Sequence, residues 1–487
     1  LVTPLKVRKV RRGVAVFMTR GYAMKVLTQR NPLNSAEPMH VARSVLRAGW
    51  TTPLGRLGLL EWRGEPWEWY GGQWVRRDAK WLDEALWLAL EDAHIAVRTN
   101  QGMNMRRLAP TMETIRNVGH ALRALCRMRH EDAPAWLGDG DGPDARWMVS
   151  FSDALVDART LEAVERSEQW FEPHVLSVAW EPEAACPTWE ACVEEWSEGD
   201  PAWKELLCRA MGYMLVPNRG FQRWLLMHGK VRGGKGTIMG VVKSLLGGAV
   251  RSASVAQLAQ NFGLWGLESA RVVNVAEFGA VNSREGELAA ANLKNIVGGD
   301  PVTIDRKYME PLRDVRIDAF PVVQSNEIPK LPNRGQGLAS KMLVLPFTKS
   351  FLGKEDLTLG QRLAAELPGI AVWAMKGAQR LIGEQDSGSR WPVPRAAEDA
   401  VERFSVLNAP MQEFLDANFE QKDGGFVATS VLWARWLDWK KTSGTKDEMT
   451  QAKLLHRIVE ESSWGLTRGR LGGERLRGLR GLAMKSE

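Results

Sequence analysis

The stretch GKVRGGKGT, residues 229–237, spaces its glycines and lysine almost as a phosphate-binding loop does, G-x-x-x-x-G-K-[ST]. Gly229 opens the pattern and Gly234-Lys235 close it. Gly236 then stands where a Ser or Thr hydroxyl would hold Mg²⁺, and Thr237 follows one residue late. Consecutive backbone N–H groups at the start of a helix make an anion cradle. Gly233 and Gly234 allow backbone angles and a close approach that a side chain would block. Lys235 adds a point charge for the β- and γ-phosphates of a nucleotide. A glycine-rich turn before any helix would read similarly, so the setting of the loop has to decide.

A hydrolytic site of this kind needs an acid at the end of a second strand, to hold Mg²⁺ or orient water. VVNVAEF (272–278) offers Glu277. It also needs a polar group near the γ-phosphate at the end of a neighbouring strand, and VVQSNE (322–327) offers Asn326. Each is weak alone, because many strands end in a polar residue; in this order on one sheet they reinforce each other. Between them, GGDPVTIDRKYMEPLRDVRID (298–318) reads as a β-hairpin with Arg306-Lys307 at or near its tip. Two adjacent cations on a projecting hairpin suit phosphate contacts in a nucleic-acid channel, although a solvated hairpin would carry the same charges.

The elements that must position these residues follow from apolar patterning. FQRWLLMHG (221–229) is a short strand ending in glycine, and TIMGVVKSLLGG (237–248) is an amphipathic helix with a glycine stop. RVVNVAEFG, FPVVQS and KMLVLPF supply further strands, and AAELPGIAVWAMKGAQRLI (364–382) a helix after Pro368. Strands alternating with helices predict a three-layer α/β core with a largely parallel sheet. Upstream, WRGEPWEWYGGQWVRR (62–77) reads as two aromatic strands around Gly71-Gly72. From Trp81 to about Arg129 the spacing is helical, with a helix start at Pro110-Thr111. Asp92-Ala93-His94 on that run is a lone D-x-H with a structural role. Residues 188–215 read as two helices, 386–394 as a linker, and the tail is helical before a basic run, RGRLGGERLRGLRG.

A length of 487 residues suggests about three domains. No apolar run of about 18 residues is present, so no transmembrane helix is expected, and the basic start lacks the apolar core of a signal peptide. A first residue of Leu1 suggests a non-standard start or a chain cut from something longer. The cysteines Cys126, Cys186, Cys192 and Cys208 form no C-x-x-C pair, which argues against zinc and a disulfide framework and suits a reducing cytoplasm. A net charge of +7 favours an anionic partner. The 22 tryptophans sit mostly in apolar helical patterns and read as core.

Residues 62–382 resemble the phage and plasmid primase C-terminal helicase family, related to the poxvirus primase-helicase. These are superfamily 3 helicases, a branch of the AAA+ fold. The stretches that carry the likeness are GKVRGGKGT, NFGLWGLESARVVNVAEF (261–278), VGGDPVTIDRKY (297–308), SNEIPKL (325–331) and GLASKMLVLPFTKSFLGKEDLTLGQRLAAELPGI (337–370). The resemblance implies a P-loop AAA+ core at 216–385. A poorly defined segment at 1–60 and a mainly helical oligomerisation domain at 61–215 would precede it. Residues 395–487, with the amphipathic helix VLWARWLDWKK, read as a winged-helix-like DNA or partner module, a packing domain being the alternative. The resemblance further implies ATP and Mg²⁺ as cofactors, a homo-oligomeric ring (a hexamer) with ATP between subunits, single-stranded DNA as partner, a separate primase or initiator, and a bacterial host cytoplasm. Lys235 then binds phosphate, with Gly229, Gly233, Gly234, Gly236 and Thr237 forming the cradle. Thr237 and Glu277 hold the metal, Asn326 is the sensor, and Arg306 and Lys307 meet DNA.

Three departures from the family bear on activity. Gly236 replaces the loop Ser or Thr. Lys341 stands where relatives place an arginine that completes a neighbour's site, and it keeps the charge without the planar fork. Ala276 precedes Glu277, so there is no acid pair. The expected activity is an ATP-dependent DNA helicase of a mobile element without its own primase. An initiator or interference protein with weak turnover is the alternative. A small-molecule kinase would need neither the sensor nor the basic hairpin.

Overall fold

Five strands among the described residues lie side by side in one parallel sheet: Val250–Ala253, Val272–Ala276, Phe320–Ser325, Trp224–Gly229 and Met342–Phe347, in that spatial order. Numbered along the chain, the sheet reads 5-1-4-3-2. The computed structural model describes residues 32–485 except 53–54, 101, 129–132, 139–141, 218–219, 277–282, 308, 330–334, 385–390, 408–409, 444–448, 463 and 472–475. Neighbouring residues of a strand face opposite sides. Leu225 and Leu226 are both fully buried, as are Val272 and Val273, so both faces of the sheet are covered. Strands of that kind read as continuous apolar runs, which is why four of the five were legible. The fifth, Val250–Ala253, buries Ala253 alone and has no such run.

Parallel strands need crossovers. The helix Lys235–Leu246 leaves the first strand and stops at Gly247, whose φ of +53° suits glycine. The helix Ser283–Gly298 precedes the hairpin Val302–Arg306/Met309–Val315. Ile304 and Val315 root that hairpin in the same apolar cluster as Leu226, Val273 and Val323.

The chain divides into two compact units, residues 1–157 with 162–180, and residues 158–161 with 181–487. The expected boundary at 215/216 therefore falls inside the second unit. Helix Pro201–Leu215 lies against helix Leu367–Gly383 with the backbones touching: a Cβ on Gly212 would lie 2.3 Å from Ala378 N, and one on Gly377 2.2 Å from Cys208 O. Arg209, only 6% exposed, donates to Glu384, and Arg380 donates to Glu205. Glu366 accepts from Thr188 N and Trp189 N at 2.9 and 3.0 Å, capping helix Pro187–Ser197.

The range 61–215, expected to be mainly helical, is helical at Pro187–Ser197 and Pro201–Leu215 but mixes helices with strands in its part of the first unit. Among the described residues of the first unit, the α-helices Pro38–Gly49, Ala79–Leu90 and Met112–Cys126 accompany short antiparallel strands. Gly71 and Gly72 do form a hairpin turn, both with positive φ. Thr111 caps its helix by accepting from Thr114 N. The helical reading of 81–129 was interrupted, however, by the hairpin His94–Thr99/Gly102–Arg107. Its second strand is exposed throughout, so no apolar alternation marked it. Asp92 and His94 sit at the entry to this hairpin and not on a helix, and His94 Nδ1 lies 2.9 Å from Asp92 O. Trp62, Trp67 and Trp74 close around Phe171 with ring centroids 5.4–5.9 Å apart.

After the linker, helix Glu398–Leu407 belongs to the sheet's own core, with Phe404 against Trp224, so the expected start at 395 of a separate domain moves later. A second core then gathers Met411, Phe414, Leu432, Trp436, Leu454 and Leu482. Its elements run helix Pro410–Asn418, strand Phe419–Ala428, helices Thr429–Ser443 and Gln451–Glu461, then strands Thr467–Arg470 and Arg477–Met484. The last strand lies between the other two.

Candidate nucleotide site

The strand register sets the site. Gly229 pairs with Phe347, and His228 with Ser325, so the glycine loop and Asn326 emerge at the same edge of the sheet. Gly229 has φ +135°, and a Cβ there would strike Phe347 O at 2.1 Å. Gly234 has φ +106° and sits under Trp196, whose Nε1 would be 2.7 Å from a Cβ. These two glycines are therefore required by geometry. Gly233 is tight, with Lys230 O and Lys349 O each 3.0 Å from a Cβ position. Gly236 is different: it lies in the first turn of the helix, and a Cβ would meet nothing within 4 Å.

Lys235 Nζ donates to Gly229 O at 2.7 Å, to Lys230 O at 2.8 Å and to Asn326 Oδ1 at 3.0 Å. Burial lowers its pKa from the ordinary 10.5. The loop thus holds its own cation with its own carbonyls, and the strand-end amide completes the set. Thr237 lines the same cavity, which has a volume of about 1110 Å³. Glu277 lies outside the described residues, as do residues 330–331 of SNEIPKL. No group of three His, Cys, Asp or Glu that could hold a metal exists among the described residues. Mg²⁺ is ordinarily held by one or two protein groups plus substrate phosphates and water, so Thr237 is a fitting donor.

The far wall of the cavity was not read from the sequence as a site. Helix Pro187–Ser197 contributes Cys192 and Glu195, and the segment after Phe347 contributes Glu355, Asp356 and Arg362. Phe351 N donates to Arg232 O at 3.0 Å and Ser350 Oγ to Val231 O at 2.8 Å, tying that segment across the phosphate loop. Asp356 accepts from Thr358 N and Oγ1 and pairs with Arg362. These residues follow KMLVLPF in sequence, and that proximity was the available signal. Cys126, Cys186, Cys192 and Cys208 are all free, and burial pushes the thiols of Cys126, Cys186 and Cys208 up to about 12.

Lys341 is not at this cavity. It precedes strand Met342–Phe347 at the opposite edge of the sheet and donates from Nζ to Gln222 Oε1 at 2.9 Å. On the hairpin, Lys307 occupies the turn and is exposed, whereas Arg306 is bent back, donating to Glu310 O at 3.0 and 2.8 Å. Arg306 braces the hairpin, and Lys307 stands at its exposed turn. No helix among the described residues is long and apolar enough to cross a membrane.

Residues 227–337 match a protein family described as a family of unknown function, DUF5906. No curated protein matches the chain in sequence. Among solved structures, the chain is similar to the JCV helicase at 17% identity with a TM-score of 0.28, over 48% of this chain and 61% of that one. It is similar to an A-form apo structure of the NrS-1 C-terminal region at 12% identity with a TM-score of 0.44, over 86% and 94%. A further apo structure of that region is similar at 12% identity with a TM-score of 0.52, covering 92% of this chain and 99% of that one, and this likeness shows a shared fold.

Proposed function

We propose that the protein is an ATP-dependent DNA helicase of a phage, plasmid or related mobile element, built on a P-loop AAA+ core of the superfamily 3 type. The observation that carries the reading is Lys235 bonded at once to its own loop and to Asn326 on the adjacent parallel strand. The 5-1-4-3-2 strand order and the two geometrically required glycines support it. In turnover, Lys235 exchanges loop carbonyls for the β- and γ-phosphates of ATP, and the loop N–H groups hold the remaining oxygens. Thr237 and Glu277 would hold Mg²⁺, which supplies charge neutralisation on the phosphates. Asn326 orients the attacking water. The protein works as a ring, a hexamer in this reading, so that Lys341 reaches a neighbour's ATP. Lys307 of each hairpin then contacts single-stranded DNA in the channel, and a separate primase or initiator supplies the start. The helix–strand–helix–helix–strand–strand order after Pro410 supports a winged-helix-like final domain, and the work would take place in the host cytoplasm.

ATP turnover with and without single-stranded DNA, compared between wild type and Lys235→Ala, tests the reading. DNA-stimulated turnover that the substitution abolishes is expected; equal turnover in both proteins overturns it. A second reading, a ring-forming initiator with weak hydrolysis, is favoured by the lysine at 341, and nucleotide binding without turnover would select it.

A further inference from the structure

The apolar runs of strands Val272–Ala276 and Phe320–Ser325 are each interrupted by an amide, Asn274 and Gln324. Their neighbours Val272, Val273, Val275, Val322 and Val323 are fully buried, whereas both amides are half-buried. Asparagine is depleted from strands. Two apolar residues of similar shape could also replace a hydrogen-bonded pair at little cost. Packing alone therefore does not require these two side chains.

The strand register gives one of them a place in the nucleotide site. Ala276 pairs with Gln324, and paired residues of adjacent strands face the same side of a sheet. Gln324 thus stands beside the residue that directly precedes Glu277. Ala276 itself is exposed and brings no polar group. Ala276, Gln324, Asn326 and Thr237 all line the same cavity. Gln324 Nε2 donates to Asn274 Oδ1 at 2.8 Å, on the same face of the sheet and two residues back from Ala276. That bond engages the amide nitrogen and steadies the side chain, so what Gln324 offers the cavity is its oxygen, Oε1, an acceptor. A neutral acceptor beside a strand-end acid suits the outer shell of a metal. Mg²⁺ gives up water reluctantly and keeps several waters when bound. Those waters are hydrogen-bond donors, and the acceptors that orient them govern metal affinity by about 10–100-fold.

We propose that Gln324, held by Asn274, is a positioning residue of the nucleotide site: its Oε1 accepts from a water of the Mg²⁺ that accompanies ATP, in place of an acid at Ala276. The assignment rests on the nucleotide reading of the cavity. The test is calorimetric ATP binding by the full chain, once in EDTA and once in saturating Mg²⁺. The proteins compared are wild type, Gln324→Ala, Asn274→Ala and the exchange Ala276→Asp/Gln324→Ala. Gln324→Ala should bind ATP as wild type does in EDTA but about tenfold more weakly in Mg²⁺. Asn274→Ala, which loosens Gln324 without removing it, should shift binding the same way by less. The exchange carries the oxygen to the partner strand and should restore wild-type affinity in Mg²⁺ or exceed it. An amide pair that only supports the sheet would behave differently. Both single variants would then lower the unfolding midpoint and leave the gain from Mg²⁺ at its wild-type size, which overturns the proposal. An exchange variant that binds as weakly in Mg²⁺ as Gln324→Ala also overturns it. If wild type binds ATP equally with and without Mg²⁺, the metal reading of the whole site fails and takes this assignment with it. If wild type gains from Mg²⁺ and Gln324→Ala gains as much, this assignment alone fails.

Discussion

Lys235 Nζ and Asn326 Oδ1 are 3.0 Å apart, so the lysine of the glycine loop and the strand-end amide are bonded to each other across two adjacent strands. Two backbone carbonyls share the same cation, so removing the amide leaves the lysine held. Asn326→Ala should therefore leave ATP affinity within a few-fold of wild type. Turnover should fall about 10²–10³-fold, the usual cost of losing one polar group at a developing charge. Asn326→Asp should behave differently. Its carboxylate would compete with the phosphates for Lys235 and weaken ATP binding. Calorimetry paired with steady-state turnover separates the two, and an Asp variant that binds ATP as tightly as wild type sinks the assignment.

Alkaline pH should weaken ATP binding earlier than an ordinary lysine would. Burial lowers the pKa of Lys235 below 10.5 in the free protein, and bound phosphates would raise it again. Between those two values ATP binding takes up a proton, so affinity falls as pH rises. The stability of the unliganded protein has the opposite slope. The native state releases this proton before the unfolded chain does, so stability rises from the lowered pKa up to 10.5. ATP titrations up to about pH 10 should show the decline, and Lys235→Arg, which does not titrate there, should flatten it.

Gly234 and Gly236 should answer the same substitution in opposite ways. An alanine at 234 meets both a positive φ and the Trp196 indole, whereas one at 236 meets open space in a helix turn. Gly234→Ala should lose nucleotide binding. Gly236→Ala should fold with a stability gain of about 0.5–1 kcal/mol. Gly236→Ser restores a hydroxyl next to Lys235 and should lower the Mg²⁺ concentration needed for half-maximal turnover, while Thr237→Ala should raise it. If both leave the Mg²⁺ dependence unmoved, no loop hydroxyl serves the metal.

The helix pair behind the sheet is a stability test. Gly212→Ala drives a methyl onto the Ala378 backbone, which cannot yield as a flexible side chain would. Overpacking of this kind costs about 1–3 kcal/mol or more. The unfolding midpoint should drop, and an unchanged midpoint would mean the helices are not in contact as described.

Four sheet strands and the glycine-rich turn after Trp224–Gly229 were legible because doubly buried parallel strands leave continuous apolar runs with clear ends. The edge strand Val250–Ala253 and the exposed hairpin at 94–107 left no such pattern, since little of either is buried. The union of 187–215 with the sheet was invisible for another reason. It depends on Gly212 lying against Ala378, on Gly377 lying against Cys208, and on Glu366 capping a helix 178 residues earlier, pairings between distant stretches that no local spacing records. Arg306 and Lys307 looked equivalent in sequence, and only the hairpin shows that Arg306 bonds back to Glu310 O while Lys307 occupies the turn.

Lys341 makes the sharpest claim about assembly. The six-residue strand Met342–Phe347 separates it from the edge that bears Gly229, a span of about 20 Å. It cannot touch phosphates on its own loop, so a direct contact with phosphate would have to be made in a neighbouring copy. Lys341→Ala should then lose turnover while binding ATP normally, and Lys341→Arg should raise turnover by restoring the planar fork. Mixing Lys341→Ala with Lys235→Ala decides the matter. Each subunit lacks what the other retains, so a shared interface with an intact Lys235 on one side and an intact Lys341 on the other regains activity. If the mixture stays as inactive as either parent while both still associate, Lys341 does not act in trans.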